Sequence, residues 1–182
     1  MKIPSRYDSL VYLGPISWER IFDQWRRGEC WQKMWREHWR ERGFDSWESW
    51  RANCVAPLAP RRRRWFLYRL DDLSQVSDFF GVPSRAWMEK AYEGELTCRL
   101  GDILEKEIVA DNPKISDIKE NFPAATMLTG VLAGERLILV EGMHRSTALA
   151  ALAAEGRLPT TAVAMALTAV AEGELAALGK GK

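Results

Sequence analysis

The sequence predicts a mixed α+β fold, in which a tryptophan-rich helical region precedes an α/β domain. In the first third of the chain, aromatic residues recur at helical spacing. After residue 95, short runs of branched apolar residues have the length and composition of strands. One of these runs ends at Gly142, and an alanine-rich segment of helical composition follows it directly. Strands and helices therefore alternate in the second half, whereas the first third is helical.

The composition is that of an ordinary soluble globular protein, with 182 residues of which 47% are hydrophobic and 28% charged. No N-terminal stretch has the pattern of a signal peptide. The longest apolar run, residues 161–171, is about half as long as a membrane span. We therefore expect a cytoplasmic protein with no membrane partner. The three cysteines are widely spaced and form no CxxC motif, which argues against a disulfide framework or a zinc site.

Aromatic residues mark one face of the predicted N-terminal helices. They form two sets at helical spacing: Trp18, Phe22 and Trp25, then Trp31, Trp35 and Trp39. Ser17 is the predicted N-cap of this stretch, Gly28 a point of interruption and Gly43 its end. Asp45 and Glu48 fit the capping box of a further short helix.

This aromatic face has two interpretations. Packing against the rest of the chain is the favoured one. The alternative is a partner surface or a base-stacking platform for single-stranded nucleic acid, in which Trp18 and Trp25 are exposed. The surrounding charge is basic, since residues 1–64 hold 14 Lys and Arg against 8 Asp and Glu.

A small-residue linker with two prolines leads into four consecutive arginines, Arg61, Arg62, Arg63 and Arg64. Such a run is typical of a solvated loop at a domain boundary. Binding of nucleic-acid phosphates or another anionic partner is the alternative.

Residues 71–94 have the outline of a helix-turn-helix, with Gly81 as the turn. The stretch "FFGVPSRAWMEKAY" resembles the corresponding stretch of antitoxin-type and repressor-type DNA-binding domains. In such a domain Arg85 and Lys90 would face DNA. Because Glu89 and Glu93 oppose a phosphate-binding surface, a plain helical hairpin is favoured over DNA binding.

The second half predicts an alternation of strands and helices. "ELTCRL" is a predicted strand, and "KISDIKENF" a short helix. "ATMLTGVLAG" and "ERLILVEG" are two strands joined by a Gly-Glu turn. "MHRSTALAALAAEG" is a helix that ends at Gly156, and "TTAVAMALTAV" a final strand. The last residues predict a short helix with a frayed basic tail.

The junction at Gly142 has the chemistry of a phosphate site. The first N–H groups of a helix have no partner within the helix and carry the positive end of its dipole. Glycine allows an anion to approach the main chain closely. Arg145 and His144 add side-chain donors, and Ser146 and Thr147 add hydroxyl groups in the same turn.

The stretch "LVEGMHRSTALAAL" resembles the "DGHHR"-type signature of the ParB and sulfiredoxin-like fold, over roughly residues 95–170. That fold includes nucleotide-dependent partition proteins, sulfiredoxins and ADP-dependent free-serine kinases. The resemblance implies that Gly142, His144 and Arg145 hold nucleotide phosphates, with Ser146 close by. Sulfiredoxins have a nucleophilic cysteine where this chain has Met143, so their activity is not expected here. Partition proteins tend to carry two adjacent arginines in place of the His-Arg pair.

A phosphotransferase also needs a carboxylate to accept a proton or to hold Mg²⁺. Glu141 precedes the glycine directly. In serine-kinase-like relatives the catalytic glutamate follows the first strand, which points to Glu105 or Glu107. The expected cofactors are ATP or ADP, or else CTP, with Mg²⁺. The expected acceptor is a small molecule or a protein.

Three regions are predicted: a tryptophan-rich helical region over 1–60, a basic linker with a helical hairpin over 61–94, and a ParB/sulfiredoxin-like nucleotide-binding domain over 95–182. The favoured function is that of an ATP- or ADP-dependent kinase or an NTPase. One alternative is a DNA-binding partition or regulatory protein that uses the hairpin and the arginine run. Another is an interaction module whose tryptophan face binds a partner helix.

Overall fold

A five-stranded mixed sheet forms the centre of the computed structural model, which describes residues 1–178. Its strands are β1 (Leu10–Ile16), β2 (Trp65–Leu70), β3 (Ala125–Ala133), β4 (Arg136–Glu141) and β5 (Ala162–Ala169). The spatial order is β1-β2-β5-β3-β4. β3 and β5 are parallel, and the other neighbouring pairs are antiparallel. The predicted α+β class is confirmed.

The helices are α1 (Trp18–Glu29), α2 (Lys33–Glu41), α3 (Trp47–Val55), α4 (Arg85–Lys90), α5 (Glu107–Ala110), α6 (Pro113–Glu120), α7 (Met143–Ala154) and α8 (Leu175–Leu178). The longest, α1 and α7, have 12 residues each. Within residues 1–178, no helix has both the length and the apolar character needed to cross a bilayer.

The predicted N-cap of α1 is confirmed, because the Ser17 side chain accepts from the backbone N–H of Arg20. The predicted capping box of α3 is one residue out. Ser46 and Ser49 form it, and Asp45 and Glu48 do not. Oγ of Ser46 accepts a hydrogen bond from the backbone N–H of Ser49, and Oγ of Ser49 accepts one from the backbone N–H of Ser46.

Strands β1 and β2 lie inside the two N-terminal regions that the sequence predicts to be helical or linker. β2 pairs with β5 from Phe66↔Leu167 to Leu70↔Val163, and β1 covers the outer side of β2. The limits of the sheet therefore do not coincide with the predicted region boundaries. One sheet joins both ends of the described chain.

In the second half, most predicted elements occur: α6, β3, β4, α7 and β5. The predicted strand "ELTCRL" is wrong. This segment is irregular, with one bridge from Arg99 to Phe80, and a 3₁₀-helix begins at Leu100. The predicted C-terminal helix is a 3₁₀ turn, Glu172–Glu174, followed by α8. The predicted basic tail lies outside the described residues.

The sheet separates two apolar cores, because alternate strand residues point to opposite faces. Leu137 and Leu139 lie in the core that contains α7, whereas Ile138 lies in the core formed by the tryptophan helices. Trp18 and Trp25 are only 6% and 2% exposed. The packing interpretation is therefore confirmed for Trp18 and Trp25, and a base-stacking arrangement that needs these two rings exposed is wrong. The second set is less buried, since Trp31 is 68% exposed and α2 has no buried residue.

Candidate functional site

Gly142 makes the turn from β4 into α7 in a conformation that other residues rarely adopt. Its φ is +95°, in the left-handed region, and a Cβ atom here would lie 2.5 Å from Cδ2 of Leu128. The carbonyl of Gly142 accepts the first helical bond, from the N–H of Ser146 at 2.8 Å. Within residues 1–178, no side chain caps the N–H groups of residues 143–145. This end of α7 therefore carries uncapped donors and the positive end of the helix dipole.

Arg145 is held in place by two partners at the ends of neighbouring strands. Its guanidinium forms an ion pair with Glu141 and donates to Oγ1 of Thr126. The Arg145 side chain is 28% exposed, whereas that of Glu141 is 7% exposed. A guanidinium has five N–H donors. Donors therefore remain on Arg145 after both contacts are made.

Two buried polar atoms at this turn have no hydrogen-bond partner among the described residues. They are Oε2 of Glu141 and Oγ of Ser146. Buried polar groups normally have partners, and an unpaired one has a substantial desolvation cost. Thr147 differs from its neighbour, because its hydroxyl donates to the carbonyl of Met143 at 2.8 Å and is fully buried. Oε2 of Glu141 and the hydroxyl of Ser146 thus remain unpaired, whereas the hydroxyl hydrogen of Thr147 is used within the helix.

His144 lies beside the ring of Trp87, with 6.0 Å between ring centres. Burial is the main cause that lowers its pKa to about 4, and the positive charges of Lys114 and Arg145 lower it further. The imidazole is therefore neutral at pH 7. A neutral imidazole has one N–H donor and one nitrogen acceptor.

The tryptophan helices form a wall beside this turn, which the sequence did not indicate. Nε1 of Trp25 in α1 donates to Oγ1 of Thr129 in β3 at 3.0 Å. Thr129 is paired with Glu141 across β3 and β4. The predicted aromatic face thus contacts the strand next to the glycine turn.

A buried ion pair ties the tryptophan helices together at this wall. Nε of Arg51 donates to Oε2 of Glu29 at 2.7 Å, and Nε1 of Trp47 donates to the same oxygen at 3.0 Å. The Arg51 guanidinium carbon lies 4.7 Å from the ring centre of Trp50. The ion pair with Glu29 raises the pKa of Arg51 despite burial, with a smaller contribution from Glu141. Glu29 and Arg51 are thus part of the electrostatic surroundings of the turn.

Lys114 is a further cation near the turn. Its Nζ lies 4.6 Å from the ring centre of Trp35. In the part of the chain that the structure describes, no carboxylate lies within ion-pairing distance of this ammonium group. Burial lowers the pKa of Lys114, and Arg145 and Arg51 act in the same direction. A single lysine at the start of a short helix gave no signal in the sequence.

Glu105 and Glu107 are exposed, the first before α5 and the second at its start. Neither carboxylate takes part in an ion pair or a side-chain hydrogen bond within residues 1–178. The carboxylates whose charge acts on Lys114 beside the turn are Glu29 and Glu141. Of the three predicted acids, Glu141 alone adjoins the predicted phosphate loop.

The predicted helix-turn-helix outline is wrong. Leu73–Asp78 is a 3₁₀-helix, and Phe80 then adds an extended bridge to Ile138 at the edge of β4. This contact places Phe80 beside the edge strand of the sheet. α4 has six residues, and Nε of Arg85 contacts Oε1 of Glu89 in the same helix at 2.8 Å. Lys90, the other predicted DNA contact, is the last residue of α4.

The residues at the turn fit a Mg²⁺ ion that arrives with phosphates better than a metal site made by protein alone. The described residues contain no group of three or more histidine, cysteine, aspartate or glutamate side chains that could hold a metal ion. Mg²⁺ is commonly bound by one or two carboxylates, substrate phosphates and water. Oε2 of Glu141, which is unpaired among the described residues, would be the carboxylate ligand of such an ion.

No family model, no curated protein and no solved structure matches this chain.

Proposed function

We propose that the chain binds the phosphates of a nucleotide at the start of α7 and, with Mg²⁺, transfers or hydrolyses the terminal phosphoryl group. The observation that carries this proposal is the combination of an uncapped helix start with unpaired buried atoms at the same turn. Gly142 has no side chain that would cover the first N–H groups of α7, and unpaired polar atoms of Glu141 and Ser146 lie at the same turn. A bound phosphate group and its cation would supply the missing partners.

Each residue at the turn has a role in this proposal. The N–H groups of residues 143–145 and the remaining donors of Arg145 bind phosphate oxygens. Neutral His144 donates one N–H without adding charge. Glu141 either accepts a proton from the attacking hydroxyl group or holds Mg²⁺, which would neutralise charge on the phosphates. The resemblance to the ParB and sulfiredoxin-like fold favours a nucleotide over other phosphate compounds.

Calorimetric titration with ATP, ADP and CTP, with and without Mg²⁺, tests binding. Single removal of Arg145 would leave Glu141 buried without a counter-ion, so the informative variant is the double change Glu141→Gln with Arg145→Gln. We expect its affinity to fall by about tenfold or more, since a charged hydrogen bond contributes roughly 1.5–3 kcal/mol. The matched control is Arg136→Gln with Glu172→Gln, an exposed ion pair elsewhere. Absence of binding to all three nucleotides, or equal affinity in both double variants, contradicts the proposal.

Turnover is tested separately by release of inorganic phosphate or of the product nucleotide, a diphosphate from ATP or CTP and a monophosphate from ADP. Glu141→Gln alone is expected to keep nucleotide binding while the rate falls by about a hundredfold, within the usual contribution of an acid–base group. A variant that turns over at the wild-type rate would remove Glu141 from the mechanism and leave the binding proposal intact.

A further inference from the structure

A cavity of about 430 Å³ lies between α1, α3 and the turns before β2, away from the α7 loop. Its walls are mostly carbon, and its mouth carries arginine. The lining residues on the two helices are Trp18, Phe22, Glu48, Ala52 and Val55. The turns contribute Ala59, Pro60, Arg61 and Arg62. This volume lies within the range of small-molecule sites, about 300–1,000 Å³.

Among the residues that the structure describes, the cationic groups at this mouth have no counter-ion. Arg61 and Arg62 are exposed, and neither lies within 4.0 Å of a carboxylate in residues 1–178. Glu48 in the wall is 3.6 Å from Arg26, measured between Oε1 and Nη1. Arg63 differs from Arg61 and Arg62, because it pairs with Glu174 and is part of the fold. Of the predicted arginine run, Arg63 thus stabilises the fold, whereas Arg61 and Arg62 form no ion pair with the residues that the structure describes.

The backbone that carries these arginines is fixed. Ala59 has φ +46° and ψ +52°, a left-handed conformation that is strained for alanine. Nε1 of Trp65 donates to the carbonyl of Pro60 at 2.9 Å, and Arg63 donates to the carbonyl of Leu58. The turn is therefore held from both sides. A ligand that binds to an ordered turn causes a smaller loss of conformational entropy than one that binds to a mobile loop.

A second cavity, of about 310 Å³, adjoins the first. The two share Trp18 and Arg61, and the second also contains Arg64. Arg61 therefore lines both cavities. Positive charge without a counter-ion above an apolar wall favours a ligand with one anionic group and one apolar body.

We propose that this arginine-rimmed cavity binds a small amphiphilic anion: an aromatic or acyl group against Phe22, Ala52 and Val55, with its carboxylate, sulfonate or phosphate on Arg61 and Arg62. This site is independent of the α7 loop. An apolar body gains from burial, and the guanidinium groups fix the orientation of the charged end.

The test compares two fluorescent probes that share one aromatic skeleton. 8-Anilino-1-naphthalenesulfonate carries an anionic group, and N-phenyl-1-naphthylamine lacks it. We expect saturable binding of both to the full chain. Arg61→Gln with Arg62→Gln should weaken the sulfonate about tenfold and leave the neutral probe within twofold. Ala52→Trp, at an exposed helix position in the cavity wall, should abolish both.

Arg20→Gln with Arg36→Gln is the control, because both arginines are exposed and lie outside the lining. It should bind both probes like the wild type, and thermal unfolding checks that each variant is folded. Unchanged sulfonate binding in either cavity variant overturns the proposal. Binding of a short DNA duplex that is lost with Arg61 and Arg62, without saturable probe binding, would also overturn it in favour of nucleic acid.

Discussion

Gly142 combines two local requirements, a left-handed backbone and a missing Cβ. The sequence indicated the place of the turn, because a glycine stood between a strand-like run and a helical run, but not its left-handed conformation. It could not indicate the second, since Leu128 lies on another strand and approaches only in the folded chain. The ion pair of Glu141 with Arg145 was not predicted, because Glu141 ends β4 and only the turn at Gly142 brings it next to the first turn of α7.

Gly142→Ala should lower the free energy of unfolding by about 2 kcal/mol, through left-handed strain and the contact with Leu128. Gly28→Ala is the matched control, since a Cβ there meets nothing within 4 Å and the residue is helical. That control should leave stability unchanged or raise it by about 0.5 kcal/mol. Urea unfolding measures both. Equal stability of the two variants would mean that the turn tolerates a side chain.

His144 should titrate far below its ordinary pKa of 6.5, at about 4. Between these two values the unfolded chain binds a proton that the folded chain excludes. The His144 contribution to stability is therefore fully present above about pH 6.5 and is lost as the pH falls towards 4. NMR of the imidazole carbons follows the titration, and His144→Gln assigns the signal. A His144 signal with a midpoint near 6.5 contradicts the burial of this ring.

At the scale of elements, the sequence predicted what depends on local pattern. α6, β3, β4, α7 and β5 follow from apolar periodicity and turn residues. β1 was missed because it exposes Val11, Tyr12 and Leu13 at the sheet edge, so it shows no alternation. β2 was missed because it directly follows the arginine run, and because its partner β5 lies about a hundred residues later, where no local pattern can indicate the pairing.

The ion pair between Glu29 and Arg51 also depends on distant packing, and it should matter for stability. Their side chains are 10% and 14% exposed. Arg51→Met leaves Glu29 buried without a counter-ion and should cost about 3 kcal/mol. Arg26→Met removes an exposed pair and should cost less than about 0.5 kcal/mol. Urea unfolding distinguishes them, and a small effect of Arg51→Met would mean that water reaches Glu29.

At the scale of the whole molecule, the predicted nucleotide-binding region depends on the N-terminal region. In a fragment of residues 95–182, β5 would lack its partner β2 and β4 would lack Phe80. One face of the sheet would also lose the tryptophan residues that cover it. We expect a fragment of residues 95–182 to be unfolded by circular dichroism and to give a poorly dispersed NMR spectrum. A fragment with dispersed signals and cooperative unfolding would show that the predicted domain is independent.

Phosphate binding at the start of α7 is the claim on which the proposed function rests, and the backbone NMR spectrum of the ¹⁵N-labelled chain during titration with ATP and Mg²⁺ observes it at the amide groups themselves. We expect saturable shifts that are largest at the N–H groups of Gly142, Met143, His144 and Arg145, with smaller shifts at Lys114. Glu141→Gln with Arg145→Gln should reduce these shifts. Unchanged amide signals at residues 142–145 under saturating nucleotide would contradict the claim and leave Gly142 with a structural role alone.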